Sequence, residues 1–209
     1  MAFYRDHLFP HVVARCCSTA SVGRWRSDTV VGLSGRIVEI GFASGPNLEY
    51  YPDEVDIVYA IEPVPAFGRL AARRRRRPAV DVVPAGLDAR SLDLADASCD
   101  GALSTFTLCV IPDVAAALAE LRRVVRPGGR FHFLEHGISP DVRVARWQRR
   151  LEPWEIRFAA GCHLTRNPAD LVAQAGFEIV ELESRYDRGP KPWTWFTRGV
   201  ALNPTPTHR

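Results

Sequence analysis

The stretch FEIVELESRYDRGPKPWTWFTRGVAL, residues 177–202, decides the fold predicted for this chain of 209 residues. It contains two β-rich runs, at 177–184 and 193–202, which are joined by only eight residues. A connection this short leaves no room for the helix that links parallel strands, so the two runs are predicted to pair antiparallel.

Upstream of this pair, apolar strands alternate with helical segments, which is typical of a parallel sheet covered by helices on both faces. Five strands are predicted there, at 36–40, 55–61, 80–83, 100–106 and 130–136. The predicted fold class is therefore α/β. It is a doubly wound, mostly parallel seven-stranded sheet whose last strand is antiparallel.

Helices are predicted at 66–77, at 113–126 and from Asn167 to Gly176. The second has apolar residues at steps of three to four, as an amphipathic helix requires. The turn 127–129, Pro-Gly-Gly, is expected to end that helix before the fifth strand begins.

The first strand runs into a loop with small residues at Gly41, Ala43 and Gly45. A tight turn that presents backbone N–H groups to a ligand needs residues without bulky side chains. The dinucleotide fingerprint GxGxxG would place its third glycine at Pro46, which cannot replace glycine there without changing the geometry. The loop therefore favours an adenosyl ligand other than a dinucleotide.

Two acidic residues follow the next two strands. Glu62 ends the second strand, 21 positions after Gly41, where a carboxylate can accept both ribose hydroxyls of an adenosyl group. Asp88 follows the third strand and is placed to accept from an adenine amine, with the N–H of Leu87 or Ala89 reaching the ring. The carboxyl ends of these strands converge on one crevice, which predicts adenosyl binding.

Four segments carry a resemblance to a known family: EIGFASGPNLEYYP (39–52), GLDARSLDLADASCD (86–100), LRRVVRPGGRFHFLEHG (121–137) and GCHLTR (161–166). They resemble the class I S-adenosylmethionine-dependent methyltransferases, and more narrowly the branch that includes alkyl-thiol S-methyltransferases of animals and bacterial relatives. The resemblance covers most of the chain and implies S-adenosyl-L-methionine as the cofactor. Animal members carry an N-terminal membrane anchor, and none is expected here.

The resemblance also implies roles for eight residues. Gly41, Ala43 and Gly45 would line the methionine moiety of the cofactor, and Glu39 would approach its ammonium group. For the rest of the cofactor, the implied contacts are Glu62 with the ribose, Leu87 and Asp88 with the adenine, and Thr105 with the sulfonium. Ala43 departs from the usual glycine, and its methyl group is expected to narrow the loop slightly.

Methyl transfer from a sulfonium chiefly requires alignment and exclusion of water, but a thiol or phenol acceptor benefits from a base. The candidate bases are His136, just after the fifth strand, and His163, with Arg166 as a charge partner. A role in capping a turn is the alternative for His136, and a local hydrogen bond is the alternative for His163.

The insert at 141–166 is expected to build an acceptor pocket together with the N-terminal segment. Its apolar side chains would close a lid over the cofactor, and they are Phe3, Tyr4, Leu8, Phe9, Trp25, Trp147, Trp154, Phe158 and Cys162. Plain helix packing is the alternative. An aromatic, mostly uncharged pocket favours a small apolar acceptor.

We predict a single domain with three parts: an N-terminal helical cap (1–34), a cofactor-binding half (35–136), and a substrate-side insert with the terminal β pair (137–209). The net charge of +3 is too small to indicate nucleic acid or membrane. The arginine run at 73–77 is expected to be a solvated helix face rather than an RNA site. These features predict a cytoplasmic protein with a small-molecule substrate.

The five cysteines are odd in number and lack CxxC spacing, which favours reduced thiols. Cys16, Cys17, Cys109 and Cys162 are compatible with a soft-metal or arsenical site. Free cysteines are most often buried apolar residues, however, so no metal is predicted.

The sequence thus predicts an S-adenosylmethionine-dependent methyltransferase for a small apolar acceptor, with a thiol favoured. A lipid, quinone or phenolic acceptor is the first alternative. A nicotinamide-dependent oxidoreductase and a non-catalytic binding module on the same scaffold are the others.

Overall fold

The architecture comes from a computed structural model, which describes residues 19–64, 67 and 80–205. Its helices and strands follow one another in chain order. They are α1 (Ala20–Val30), β1 (Gly35–Ile40), β2 (Val55–Ile61), β3 (Asp81–Gly86), β4 (Cys99–Thr105), α2 (Val114–Val124), β5 (Val125–His136), α3 (Val142–Phe158), α4 (Pro168–Gln174), β6 (Glu178–Tyr186), α5 (Lys191–Thr194) and β7 (Trp195–Leu202).

The seven strands form one sheet in the order β3-β2-β1-β4-β5-β7-β6. The strands β1 to β5 pair in parallel, whereas β7 runs antiparallel to both β5 and β6. The antiparallel ending that the short connection predicted is therefore confirmed. The fold class is α/β with a mostly parallel sheet.

Side-chain caps fix where the helices begin. Asp113 accepts the backbone N–H of Ala116 at the start of α2, and Asn167 accepts the N–H of Ala169 at the start of α4. Each cap satisfies a backbone donor that the helix leaves unpaired. The predicted starts of both helices are confirmed. The helix predicted at 66–77 lies outside the described residues, apart from Phe67.

The fifth strand begins earlier than expected. β5 starts at Val125, so the turn 127–129 lies inside the strand instead of ending the helix before it. The backbone N–H of Gly128 donates to Asn203, and that of Asn203 donates to Gly129. A Cβ on Gly129 would lie 2.7 Å from the backbone oxygen of Asp100. Close backbone approach, and not chain reversal, explains glycine at this position.

The main core lies between the sheet and the helices α2 and α4. Its largest buried side chains include Leu118, Leu121, Phe131 and Phe133. A second buried cluster around Ile37, Leu48 and Tyr51 covers the opposite face of β1. Among the described residues, no helix combines the length and the apolar character that a membrane crossing needs.

Candidate functional site

The strand order changes direction between β1 and β4, because the chain builds β1, β2 and β3 outward on one side and then returns to β4. In open α/β sheets, ligands bind outside the carboxyl ends of the strands at such a switch point. The ends of β1 to β5 bring Gly41, Glu62, Leu87, Thr105 and His136 to this edge. The crevice there is the candidate site.

The turn after β1 needs its small residues. Gly41, Ala43 and Gly45 have φ angles of 68°, 48° and 69°, all in the left-handed region. A Cβ on Gly41 would lie 2.0 Å from Oγ1 of Thr107, so no larger residue fits there. Alanine in this region is strained by about 1 kcal/mol, which Ala43 bears.

Glu62 connects this turn to the end of β2. Its Oε2 accepts the backbone N–H of Ala43 at 2.9 Å, and its Oε1 accepts that of Val64 at 2.8 Å. Burial raises the pKa of this carboxyl above its usual range, and the two backbone donors oppose that shift. Each oxygen keeps a second lone pair with which it can bind a ligand hydroxyl.

Glu39 lies beneath the crevice and is fully buried. Its two oxygens accept from Asn47 Nδ2 at 2.7 Å and from the Tyr51 hydroxyl at 2.6 Å. Burial raises the pKa of the carboxyl to about 7, although both hydrogen bonds lower it. Glu39 is thereby tied to Asn47, which is itself fully buried.

A buried network links Asn47 to β4. Arg26 donates to Oδ1 of Asn47 at 2.8 Å and to Oγ1 of Thr105 at 2.7 Å, while Asn47 Nδ2 lies 3.0 Å from the same hydroxyl. Neither Arg26 nor Asn47 was predicted from the sequence. Asn47 lies two positions after Gly45, and this position in the cofactor loop is the sequence signal that could have identified it. Nothing in the pattern of α1 marks Arg26 as buried.

The adenine side of the predicted site is more exposed. Leu87 is 67% exposed, which is unusual for a large apolar side chain. Arg90 holds Asp88 with side-chain hydrogen bonds of 2.8 and 2.9 Å. These bonds lower the pKa of Asp88 to about 2, so the carboxylate is ionised at neutral pH. An adenine amine would share this carboxylate with Arg90.

Glu135 organises the turn after β4 and was also missed. Its Oε1 accepts from Ser104 Oγ at 2.7 Å and from the backbone N–H groups of Thr107 and Leu108. Its Oε2 accepts no hydrogen bond from the described residues. Burial raises the pKa of this carboxyl. Glu135 thereby fixes the backbone that faces Gly41.

The two candidate bases have different surroundings. Nε2 of His136 lies 3.2 Å from Sγ of Cys162. Nδ1 of His163 lies 3.1 Å from Oε1 of Glu152, and its side chain is 31% exposed. The expectation that Arg166 pairs with a histidine is wrong. Arg166 donates to the backbone oxygens of Leu108 and Ile111, because the turn after β4 presents them to it.

The side chains predicted to form a lid have different surroundings in the structure. Trp25 is 3% exposed and packs edge-on against Phe196 with ring centroids 5.9 Å apart, so it belongs to the core and not to a lid. Trp147 and Trp154 on α3 are 56% and 64% exposed. The other proposed members, Phe3, Tyr4, Leu8 and Phe9, lie outside the described residues.

A separate open cavity of about 560 Å³ lies beside the start of α3. It is lined by Ile138, Val142, Leu182, Trp195 and Thr197, among others. Because it faces β6 and β7, on the far side of β5 from β1, it is distinct from the crevice.

Comparisons with known proteins agree on this architecture. A family profile described as Methyltransferase domain matches residues 38–133. The thiol S-methyltransferase TMT1B of Homo sapiens is 33% identical over 81% of this chain and 70% of its own length. The demethylmenaquinone methyltransferase of Renibacterium salmoninarum is 35% identical over 54% of this chain and 48% of its own length.

A solved S-adenosylmethionine-dependent methyltransferase from Mesorhizobium loti superimposes with a TM-score of 0.64 at 17% identity. The alignment covers 88% of this chain and 98% of that one. At this identity the likeness shows the fold alone. The chain spans about two thirds of the length of the thiol methyltransferases that it matches.

Proposed function

Since this chain belongs to the class I S-adenosylmethionine-dependent methyltransferases, we propose that it methylates a small apolar acceptor and that the acceptor is a thiol. S-adenosyl-L-methionine supplies a methyl group already activated on a sulfonium. The protein then has to bind, orient and shield the reactants. We also propose that it works in the cytoplasm, where its free thiols would remain reduced.

The residues at the crevice fit this cofactor. The turn at 41–45 is closely packed and has left-handed backbone, which suits it to cradle the methionine moiety. Glu62 has lone pairs for the ribose hydroxyls, and exposed Leu87 offers an apolar surface to the adenine. Asp88 would accept from the adenine amine. Glu39 would attract the ammonium group electrostatically, and Thr105, which is tied to Arg26 and Asn47, would lie beside the sulfonium.

A base for the acceptor is available on the insert. The carboxylate of Glu152 sits beside Nδ1 of His163 and would keep the proton there. That tautomer leaves Nε2 to take the proton of a thiol. Glu152 also accepts the backbone N–H of Thr165 at 2.9 Å, which fixes its orientation. His136 is the second candidate, although its Nε2 already faces Cys162.

The similarity to thiol S-methyltransferases is the observation that carries the acceptor proposal. It extends over 81% of this chain at 33% identity. The similarity to demethylmenaquinone methyltransferases extends over 54% of it at 35% identity and favours a quinol as the second candidate. Its shorter coverage is the reason for placing it second.

A panel of acceptors tests the proposal. Purified protein and S-adenosylmethionine would be incubated with apolar alkyl thiols, a phenol, a demethylated quinol and a primary amine of similar size. We expect methyl transfer to the thiols at a kcat/KM at least about tenfold above that for any other class, which corresponds to about 1.4 kcal/mol. Product would be measured by mass spectrometry.

Two controls accompany the panel. Reactions without protein give the chemical background, which is appreciable for thiols at alkaline pH. Added S-adenosylhomocysteine should suppress the enzymatic reaction. Transfer confined to the quinol would replace the thiol proposal by the quinone alternative, and transfer confined to the amine would remove both.

A further inference from the structure

Three ligands that soft metal ions prefer meet beside the ends of β4 and β5. The Sγ atoms of Cys109 and Cys162 and one imidazole nitrogen of His136 all lie within 4.8 Å of one another. Sγ of Cys162 and Nε2 of His136 are 3.2 Å apart. The sequence offered no spacing signal for this cluster, because its members come from three separate segments.

The distances suit a single small ion. Zinc lies about 2.3 Å from a thiolate sulfur and about 2.0 Å from an imidazole nitrogen in tetrahedral sites. Two sulfurs and one nitrogen around a tetrahedral ion are then about 3.5 to 3.8 Å apart. One pair in the cluster is 3.2 Å apart and all three ligand atoms lie within 4.8 Å of one another, so side-chain rotations would bring them to that geometry.

The surroundings are apolar. Cys109 and Cys162 are 3% and 6% exposed and pack with Leu164. Within the described part of the chain, Nδ1 of His136 makes no hydrogen bond, and the hydrogen-bond partner of its Nε2 is the Cys162 thiol. An imidazole whose Nδ1 is buried without a partner and whose Nε2 has one weak thiol contact is poorly satisfied. Binding of a metal ion through Nε2 would compensate the free-energy cost of this missing hydrogen bonding.

The two cysteine-bearing turns are tied together independently of the side chains. The backbone N–H of His163 donates to the backbone oxygen of Cys109 at 2.9 Å. Arg166 reaches across to the backbone oxygen of Ile111 at 2.8 Å. Ala160, two positions before Cys162, adopts a left-handed φ of 54°, which is a strained conformation for alanine. The ligands are thus held in position by backbone contacts, as metal sites require.

We propose that Cys109, His136 and Cys162 form a site for a thiophilic divalent cation of the Zn²⁺ type. Two thiolates balance the charge of such an ion. Three protein ligands leave one tetrahedral position for water or another small ligand, which is the pattern of catalytic rather than structural zinc sites. The proposal rests on the ligand geometry and not on the acceptor being a thiol.

Titration with Co²⁺ under reducing, anaerobic conditions tests this site, since cobalt reports thiolate ligands by a charge-transfer absorption band. The variant Cys16→Ser/Cys17→Ser serves as the background, because it removes the two thiols outside the described residues. We expect one Co²⁺ per chain with the intensity of two thiolates, and displacement of the band by one equivalent of Zn²⁺. In that background, Cys109→Ser/Cys162→Ser should abolish the band.

The matched control is Cys99→Ser, which removes another buried free thiol while leaving the cluster intact. When it is added to the Cys16→Ser/Cys17→Ser background, the Co²⁺ stoichiometry and the band intensity should not change. No charge-transfer band in the wild type, or a band that survives Cys109→Ser/Cys162→Ser, would overturn the proposal. A band lost in the Cys16→Ser/Cys17→Ser background would overturn it too. Because the readout is metal binding, it stays separate from the acceptor panel.

Discussion

Replacing Glu62 by alanine is expected to weaken the binding of S-adenosylhomocysteine about 100-fold. A hydrogen bond to a charged group contributes about 1.5 to 3 kcal/mol, and the carboxylate is proposed to accept two from the ribose. A loss of about 3 kcal/mol corresponds to roughly 100-fold in Kd. The substitution also frees the N–H groups of Ala43 and Val64, which loosens the turn. Isothermal titration calorimetry measures the effect.

Two comparisons make that result specific to the site. Glu62→Gln keeps one acceptor oxygen but loses the charge, and a decrease of about tenfold is expected. Glu178→Ala removes an exposed carboxylate at the start of β6 and should leave the affinity unchanged. Thermal unfolding of each variant shows whether the fold is retained. If Glu62→Ala folds normally and binds as the wild type does, Glu62 lies outside the cofactor site.

Replacing Gly41 by alanine is expected to destabilise the protein by at least about 3 kcal/mol. The new Cβ would lie 2.0 Å from Oγ1 and 2.4 Å from Cγ2 of Thr107, well inside contact distance. Thr107 is buried, and its short branched side chain has little freedom to move. The left-handed φ of 68° adds a cost of about 1 kcal/mol for alanine. Denaturant unfolding measures the free-energy difference.

Gly32→Ala is the matched control. Gly32 has a φ of 83°, but a Cβ there would meet nothing within 4 Å. Its substitution should lower the free energy of unfolding by about 1 kcal/mol, the cost of a left-handed φ for alanine. Adding Thr107→Ala to Gly41→Ala removes two of the overlapping atoms and should recover part of the loss. Equal effects of Gly41→Ala and Gly32→Ala would show that the close contact with Thr107 is absent.

The sheet could be predicted from the sequence because its signals are local. Strand β2 was predicted with its observed bounds, and the antiparallel ending followed from the length of one connection. The start of β5 could not be predicted in the same way. The Pro-Gly-Gly turn is typical of a chain reversal, whereas its hydrogen bonds with Asn203 depend on a strand far along the chain.

The candidate site could be inferred from the sequence only where its residues follow strand ends. Gly41, Glu62 and Leu87 do so, and their positions at one edge of the sheet follow from parallel strands. Arg26 and Glu135 do not carry a local signal. Arg26 bonds to Thr105, 79 positions away, and Glu135 bonds to Ser104, 31 positions away.

Buried charged residues such as Arg26 and Glu135 can be identified only once their hydrogen-bond partners are known. A single sequence does not reveal which residues pair. The same limit applies to the cysteine cluster. Cys162 and His136 are 26 positions apart and belong to different elements, so neither spacing nor periodicity connects them. Folding brings them together only because the insert returns to the end of β5.

Calorimetric titration of the wild-type protein with S-adenosylhomocysteine, and separately with NAD, distinguishes a methyl-donor site from a dinucleotide site. We expect one site per chain for S-adenosylhomocysteine and no measurable heat with NAD under the same conditions. Binding of NAD without binding of S-adenosylhomocysteine would contradict the assignment of the crevice between β1 and β4 as a methyl-donor site.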